Sequence, residues 1–289
     1  MNIQEQYFIV DNKRVNYFEV GIKERPTIIC LHGLVGSSIY SFKKLIVLLS
    51  NNFHVIAIDQ PGHGRSSPFG TEDEYSFSNL AKWYEQIIPS ITQKQYYILG
   101  HSWGADVALH IAKNDPGNVT GVILLDGGFT FPEFQEEATF SRMYHGWSYY
   151  MDHTTFQSWD EVLKGFEQYT KQPINNYAEE IQSILYFQED RYELVASKFT
   201  VLSVIKAFYA EPFSATYPHI NKPLLLLHAT QPVNLDDARS KGIKEMKKHI
   251  KDVTITPIRD SGHMVQWDES GLVAEQICNW ILIKNHGEQ

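Results

Sequence analysis

Strand-length apolar runs alternating with helix-period stretches predict an α/β protein, with a mostly parallel sheet of about eight strands and helices on both faces. Three observations carry this expectation. Segments 27–31, 55–58, 96–99, 121–125 and 224–227 are short and almost wholly apolar, as strands buried on both faces must be. Between them, apolar residues recur at helical spacing, for example Phe42, Leu45, Ile46 and Leu49. One stretch of about ninety residues, rich in aromatics, interrupts the alternation after the sixth strand.

In chain order, 7–10 and 15–20 alternate in polarity around Asp11 to Arg14 and predict a β-hairpin. The strand at 27–31 ends in His32-Gly33, and the Phe42 to Leu49 helix follows. The strand at 55–58 leads into Asp59-Gln60-Pro61-Gly62-His63-Gly64. A helix is expected over 80–91, a strand over 96–99, a helix over 104–113 and a strand over 121–125. Of the 38 aromatic residues, 21 fall in 129–217, too many for a loop, and segments such as 179–187 look helical. The alternation resumes with a strand at 224–227, a helix at 236–249, a strand at 253–258 and a helix at 271–283. The expected organisation is therefore a first core part, 1–129, a helical cap, 130–218, and a second core part, 219–289.

Composition narrows the function. The chain has 289 residues, 25 of them basic and 34 acidic, for a net charge of −9. That balance repels a phosphate backbone, so nucleic acid is not an expected partner. No apolar run approaches the roughly 20 residues of a bilayer span, and Met1 to Gln6 does not read as a secretory leader. Cys30 and Cys278 lie in apolar stretches and read as reduced thiols of a cytoplasmic protein. No cofactor is expected, since the sequence lacks a metal-type cysteine pair, an H-E-x-x-H, a P-loop and a dinucleotide fingerprint.

Chemistry gathers at Gly100-His101-Ser102-Trp103-Gly104, a G-x-S-x-G between a strand and a helix. Such a turn lifts the serine Oγ above the sheet and places the next backbone N–H at a helix N-terminus, where an oxyanion can be held. A serine needs a base. Of the twelve histidines, His263 in Ser261-Gly262-His263-Met264 follows the last expected strand and so reaches the same sheet edge. His32 and His63, in glycine-rich loops at that edge, suit loop shaping better than proton transfer.

Four motifs in order, His32-Gly33, Asp59 to Ser66, Gly100 to Gly104 and Gly262-His263, resemble the α/β-hydrolase superfamily, and within it the capped esterase and C–C hydrolase branch. The resemblance spans nearly all of the chain outside the insertion. It implies an α/β-hydrolase fold with a catalytic triad: Ser102 as nucleophile at the elbow, His263 as base, and the Leu34 and Trp103 backbone N–H groups as oxyanion hole. It also implies acyl transfer, because the alkyl-enzyme chemistry of related dehalogenases and epoxide hydrolases uses an aspartate at the elbow. The triad acid departs from the pattern. After the seventh strand the chain reads His228-Ala229-Thr230-Gln231-Pro232-Val233, without an acid. Asp126, after the sixth strand, is where some members of the superfamily keep theirs. Asp236 and Asp237 are the alternative, although they read as first-turn helix acids.

The expected activity is that of a serine esterase acting on a small or medium apolar carboxylic ester through an acyl-enzyme. Trp147, Tyr150 and Phe187 are expected to wall the substrate pocket. A C–C bond hydrolase, an aminopeptidase or amidase, a thioesterase, and a ligand-binding signalling protein with slow turnover are the alternatives. Basic residues of the insertion reading a carboxylate would favour the C–C hydrolase.

Overall fold

The computed structural model describes residues 2–286. The first hairpin pairs β1 (Gln4–Val10) with β2 (Lys13–Val20) across a two-residue turn, Asp11 and Asn12 at φ 48° and 60°. Two consecutive left-handed residues match the twist of the strands they join. Then come β3 (Thr27–Leu31), α1 (Ser38–Leu49), β4 (His54–Ile58), α2 (Phe77–Ile87), β5 (Tyr96–His101), α3 (Trp103–Asn114) and β6 (Val119–Leu125). The helix expected over 80–91 starts earlier and gives way to a 3-10 turn at Ile88–Ser90, because Pro89 lacks the N–H that would continue it.

Residues between β6 and the next core strand hold α4 (Phe140–His153), β7 (Thr155–Phe156), α5 (Trp159–Phe166), α6 (Ala178–Gln182), β8 (Leu185–Gln188), β9 (Arg191–Leu194) and α7 (Lys198–Ala210). The core closes with β10 (Leu224–Ala229), α8 (Asp236–His249), β11 (Val253–Ile258), α9 (Val265–Asp268) and α10 (Ser270–His286).

The eight-stranded sheet runs β1-β2-β4-β3-β5-β6-β10-β11, antiparallel at β1–β2 and β2–β4 and parallel elsewhere. Alternate residues of each strand feed opposite layers, as the period of two demands. Ile29, Leu31, Ile56 and Ile98 pack with Leu80, Tyr84 and Leu109 of α2 and α3. Ile28, Cys30, Val55 and Leu99 pack with Phe42, Leu45, Ile277 and Ile281 of α1 and α10. This double burial is why these strands are apolar without alternation.

The inserted segment is not purely helical. It contains a three-stranded antiparallel sheet, β7-β9-β8, and the stretch 179–187, expected to be helical, splits between α6 and β8. Glu189 and Asp190, at φ 50° and 60°, form the turn between β8 and β9. Neither is the Asn-Gly or Asp-Gly pair that usually marks such a turn. A third apolar cluster joins the insertion to the core: Val162, Phe166, Tyr177 and Ile181 pack with Tyr40, Met264 and Trp267. Among the described residues no helix is long and apolar enough to cross a membrane.

Candidate active site

Ser102 sits between β5 and α3 at φ 53°, ψ −123°, a left-handed conformation rare for a residue with a side chain. Such a residue costs on the order of 1–3 kcal/mol and persists only where its surroundings enforce it. They do so here by close backbone approach. A Cβ on Gly100 would lie 2.1 Å from the Gly104 carbonyl oxygen, and one on Gly104 would lie 2.1 Å from that of Leu31. Both glycines of the motif are therefore sterically required. The Ser102 N–H donates to the Leu125 carbonyl at 3.1 Å, tying the turn to the end of β6.

Asp126 follows directly, at φ 42°. Its N–H donates to the Leu227 carbonyl (2.9 Å), and its Oδ1 accepts the Ala229 N–H (2.9 Å). The seventh core strand thus lends a backbone donor at the very place where its own acid is missing. Oδ2 accepts from His263 Nδ1 at 2.7 Å. Burial pushes the Asp126 carboxyl up, but the His263 hydrogen bond and charge, with the Ala229 N–H, outweigh it and hold it below the ordinary carboxylate range. Gly127 is as constrained as the elbow glycines, since a Cβ there would meet the Ser102 carbonyl oxygen at 2.4 Å.

His263 comes from the loop after β11. The Gly262 N–H donates to Asp268 Oδ2 (2.8 Å), and His101 Nε2 donates to the His263 carbonyl (3.0 Å). His101 is thus turned onto the histidine loop, and burial lowers its pKa to about 3. The His263 side chain is 55% exposed. Asp236 and Asp237 lie elsewhere in their contacts: Asp236 pairs with Arg239 (2.7 Å) and Asp237 with Lys241 (2.8 Å) in the first turns of α8.

The loop after β3 lies against the serine. A Cβ on Gly33 would fall 3.1 Å from Ser102 Cβ, so the Gly33–Leu34 peptide lies beside Ser102. Two buried histidines shape this loop. His32 Nδ1 donates to the Gly33 carbonyl (2.8 Å) while its Nε2 accepts the Gln60 N–H (2.9 Å). His63 Nε2 accepts the Val35 N–H (3.1 Å), and its Nδ1 donates to Pro61 (3.0 Å). Burial lowers the pKa of His32 to about 4 and of His63 to about 3, so both are neutral and fitted to accept. Val35, a β-branched residue at φ 61°, pins the loop in a strained form next to Leu34. Trp103, as the first residue of α3, has no intrahelical partner for its N–H.

Ser102, Asp126, His263 and Leu34 all line one cavity of about 250 Å³. Its other walls are mostly apolar, with Phe129, Phe131, Met143, Trp147 and Phe208 prominent. Of the three expected wall residues only Trp147 is among them. Tyr150, on the same helix, turns to the cluster around Tyr40 and Phe166. Phe187 is 58% exposed on the β8–β9 hairpin, with its ring 4.9 Å from that of Tyr192. Both assignments are corrected for one reason: an aromatic count says nothing about which helix face or hairpin side meets the cavity. Phe129, Phe131 and Phe208 were missed, although Phe129 and Phe131 follow closely after Asp126 and could have been placed at the same edge. Among the described residues no lysine or arginine of the insertion lines this cavity. Arg142 pairs with Glu137, Lys171 with Glu269, Lys198 with Asp152 and Lys206 with Glu72.

Comparison with known proteins agrees with this architecture. A family model described as the alpha/beta hydrolase fold matches residues 26–270. The chain is 36% identical over 118 residues to the uncharacterized hydrolase YugF of Bacillus subtilis, covering 41% of this chain and 42% of that protein. It is 33% identical over 102 residues to epoxide hydrolase B of Mycobacterium tuberculosis, covering 35% of this chain and 28% of that one. Each match thus spans less than half of the relative's length. Among solved structures, a thioesterase domain from the curacin biosynthetic pathway superposes with a TM-score of 0.77 at 18% identity, over 96% of this chain and 100% of that one. An E-2-(acetamidomethylene)succinate hydrolase also reaches 0.77 at 18% identity, over 97% and 99%. At such identities the likeness is one of fold.

Proposed function

The chain belongs to the α/β-hydrolase fold family, and from that premise we propose that it is a serine hydrolase cleaving a small or medium apolar carboxylic ester. The observation that carries this reading is the shared cavity of Ser102, His263 and Asp126, with His263 Nδ1 2.7 Å from Asp126 Oδ2. In this reading the Nδ1–H is committed to Asp126, which leaves Nε2 as the base that takes the Ser102 proton. The serine Oγ attacks the substrate carbonyl. The Leu34 and Trp103 N–H groups hold the oxyanion, a donor of this kind being worth about 3 kcal/mol of transition-state stabilisation. His263 then gives its proton to the leaving alcohol, and water, activated by the same base, releases the acid and restores Ser102. Asp126, ionised throughout, steadies the imidazolium that forms twice per cycle.

Residues 130–218 act in this proposal as a cap over the sheet edge, supplying Met143, Trp147 and Phe208 to the cavity. A serine rather than an aspartate at the elbow supports acyl transfer over the alkyl-enzyme route. A carboxylate-reading C–C hydrolase lacks support, because Arg239, the only lysine or arginine lining this cavity among the described residues, is engaged by Asp236 and the Gln231 and Pro232 carbonyls. A cytoplasmic setting for the enzyme is part of the same proposal.

Fluorophosphonate labelling at neutral pH, read by peptide mass spectrometry, tests the reading. Modification confined to Ser102 and lost in His263→Ala is the expected result. Folded protein that an active probe leaves unlabelled would overturn it.

A further inference from the structure

The cavity holds a carboxyl that ester hydrolysis does not use. Asp106 lies four residues beyond Ser102, one turn into α3, and lines the same cavity. It is 2% exposed, yet among the described residues its Oδ1 has no hydrogen-bond partner. The Gly128 backbone N–H is near enough to favour the ionised carboxyl, although burial outweighs it. A buried acceptor left unpaired costs on the order of 1–3 kcal/mol, a penalty removed when a ligand delivers a donor.

The surroundings favour a charged donor. Phe131, Trp147 and Phe208 line the cavity, and the faces of aromatic rings attract cations. Arg239, the one lysine or arginine on the described wall, has its guanidinium occupied by Asp236 and three backbone carbonyls. Glu133 lies close enough for its charge to reinforce the rise that burial imposes on the Asp106 pKa. Through Gln135, Met143 and Leu235 the cavity adjoins a cleft of about 490 Å³ that adds Glu136, Glu137 and Asp237. The cations paired with those three are two, Arg142 and Lys241, so the approach retains negative charge.

We propose that Asp106 seats a primary ammonium group, carried on the acyl or alcohol part of the ester or amide that Ser102 attacks. This rests on the hydrolase reading and narrows its substrate class to amine-bearing compounds. A bound ammonium would favour the ionised form of Asp106 against the rise that burial imposes and would offer it three donors, whereas a carboxylate ligand would add to the negative charge of Glu133 and the outer cleft.

The test begins without turnover. Dissociation constants of n-butylammonium and n-butanol are measured by NMR titration of the unmodified chain, then of Asp106→Asn. The substitution keeps the shape and an oxygen for the Gly128 N–H. The expected result is at least tenfold tighter binding of the ammonium by the unmodified chain, with the preference collapsing toward one in Asp106→Asn. Equal binding of the two probes by the unmodified chain, which does not depend on how the variant folds, would overturn the proposal. So would a preference that survives in a folded Asp106→Asn, since a polar side chain without charge would then suffice. The ratio of kcat/KM for p-nitrophenyl 6-aminohexanoate over the hexanoate is the second readout, expected to exceed ten and to fall in the variant. If the ammonium is held selectively but neither ester is cleaved, the amine site stands and the hydrolase reading fails.

Discussion

Two parts of the inserted segment, α4 and the stretch from α5 to β9, are held in opposite ways. Around α5, α6 and the β8–β9 hairpin, Val162, Phe166, Tyr177 and Ile181 are buried against core residues. Tyr177 stacks on Trp267 with ring centroids 4.2 Å apart, donates its hydroxyl to the Trp267 carbonyl, and carries Lys44 Nζ 3.6 Å above its ring. Thr170 Oγ1 and the Lys171 N–H donate to Asp268, whose other oxygen accepts the Gly262 N–H beside His263. By contrast, α4 has no fully buried residue, although it supplies Met143 and Trp147 to the cavity wall. Elements with few buried contacts open at the least free-energy cost. The α5-to-β9 part therefore braces the histidine loop, whereas α4 forms a lightly held section of the cavity wall beside the buried Ile205 and Phe208 of α7.

The largest effect expected from this contrast is on the anchored part. Tyr177→Ala removes a buried aromatic and its hydrogen bond, and a loss of about 3–5 kcal/mol in chemical denaturation is expected. A loss below about 1 kcal/mol would show that the cluster does not bind the two parts together. On α4, Trp147→Ala should leave stability within about 1 kcal/mol while raising KM for an apolar ester by about tenfold, the worth of roughly 1.4 kcal/mol of lost contact. Steady-state kinetics checks this, and a kcat loss with unchanged KM would contradict it. Phe187→Ala, on the exposed hairpin, should change stability by no more than about 0.5 kcal/mol and leave both kinetic constants within about twofold. A clear rise in KM would return Phe187 to the pocket.

Legibility in the sequence divides along similar lines. The sheet and its strand order of chemistry were readable because buried parallel strands must be apolar throughout and because Gly100 and Gly104 answer to local steric demands. The placement of His263 after the last strand followed from topology. Asp126 was readable as a candidate only by noticing that 228–233 lacks an acid; its contact with His263 depends on the Ala229 N–H and the bend at φ 42°, which no spacing encodes. The hairpin at Glu189-Asp190 was hidden because its turn residues are atypical. Trp147 and Tyr150 differ by three positions on one helix, yet they serve different clusters, and only the packing of α4 on α7 decides which. Asp106 was concealed in an apolar helix, where an acid one turn from its start reads as a dipole partner before it reads as a cavity wall.

The measurement that bears most directly on the account is kcat for Asp126→Asn beside Asp236→Asn on the same ester, with folding of each checked by circular dichroism. The account predicts a fall of about 10⁴-fold for Asp126→Asn, the loss seen when an asparagine leaves a triad histidine in the wrong tautomer, and less than about threefold for Asp236→Asn. Near-normal turnover in folded Asp126→Asn, or the large loss in Asp236→Asn instead, would contradict it.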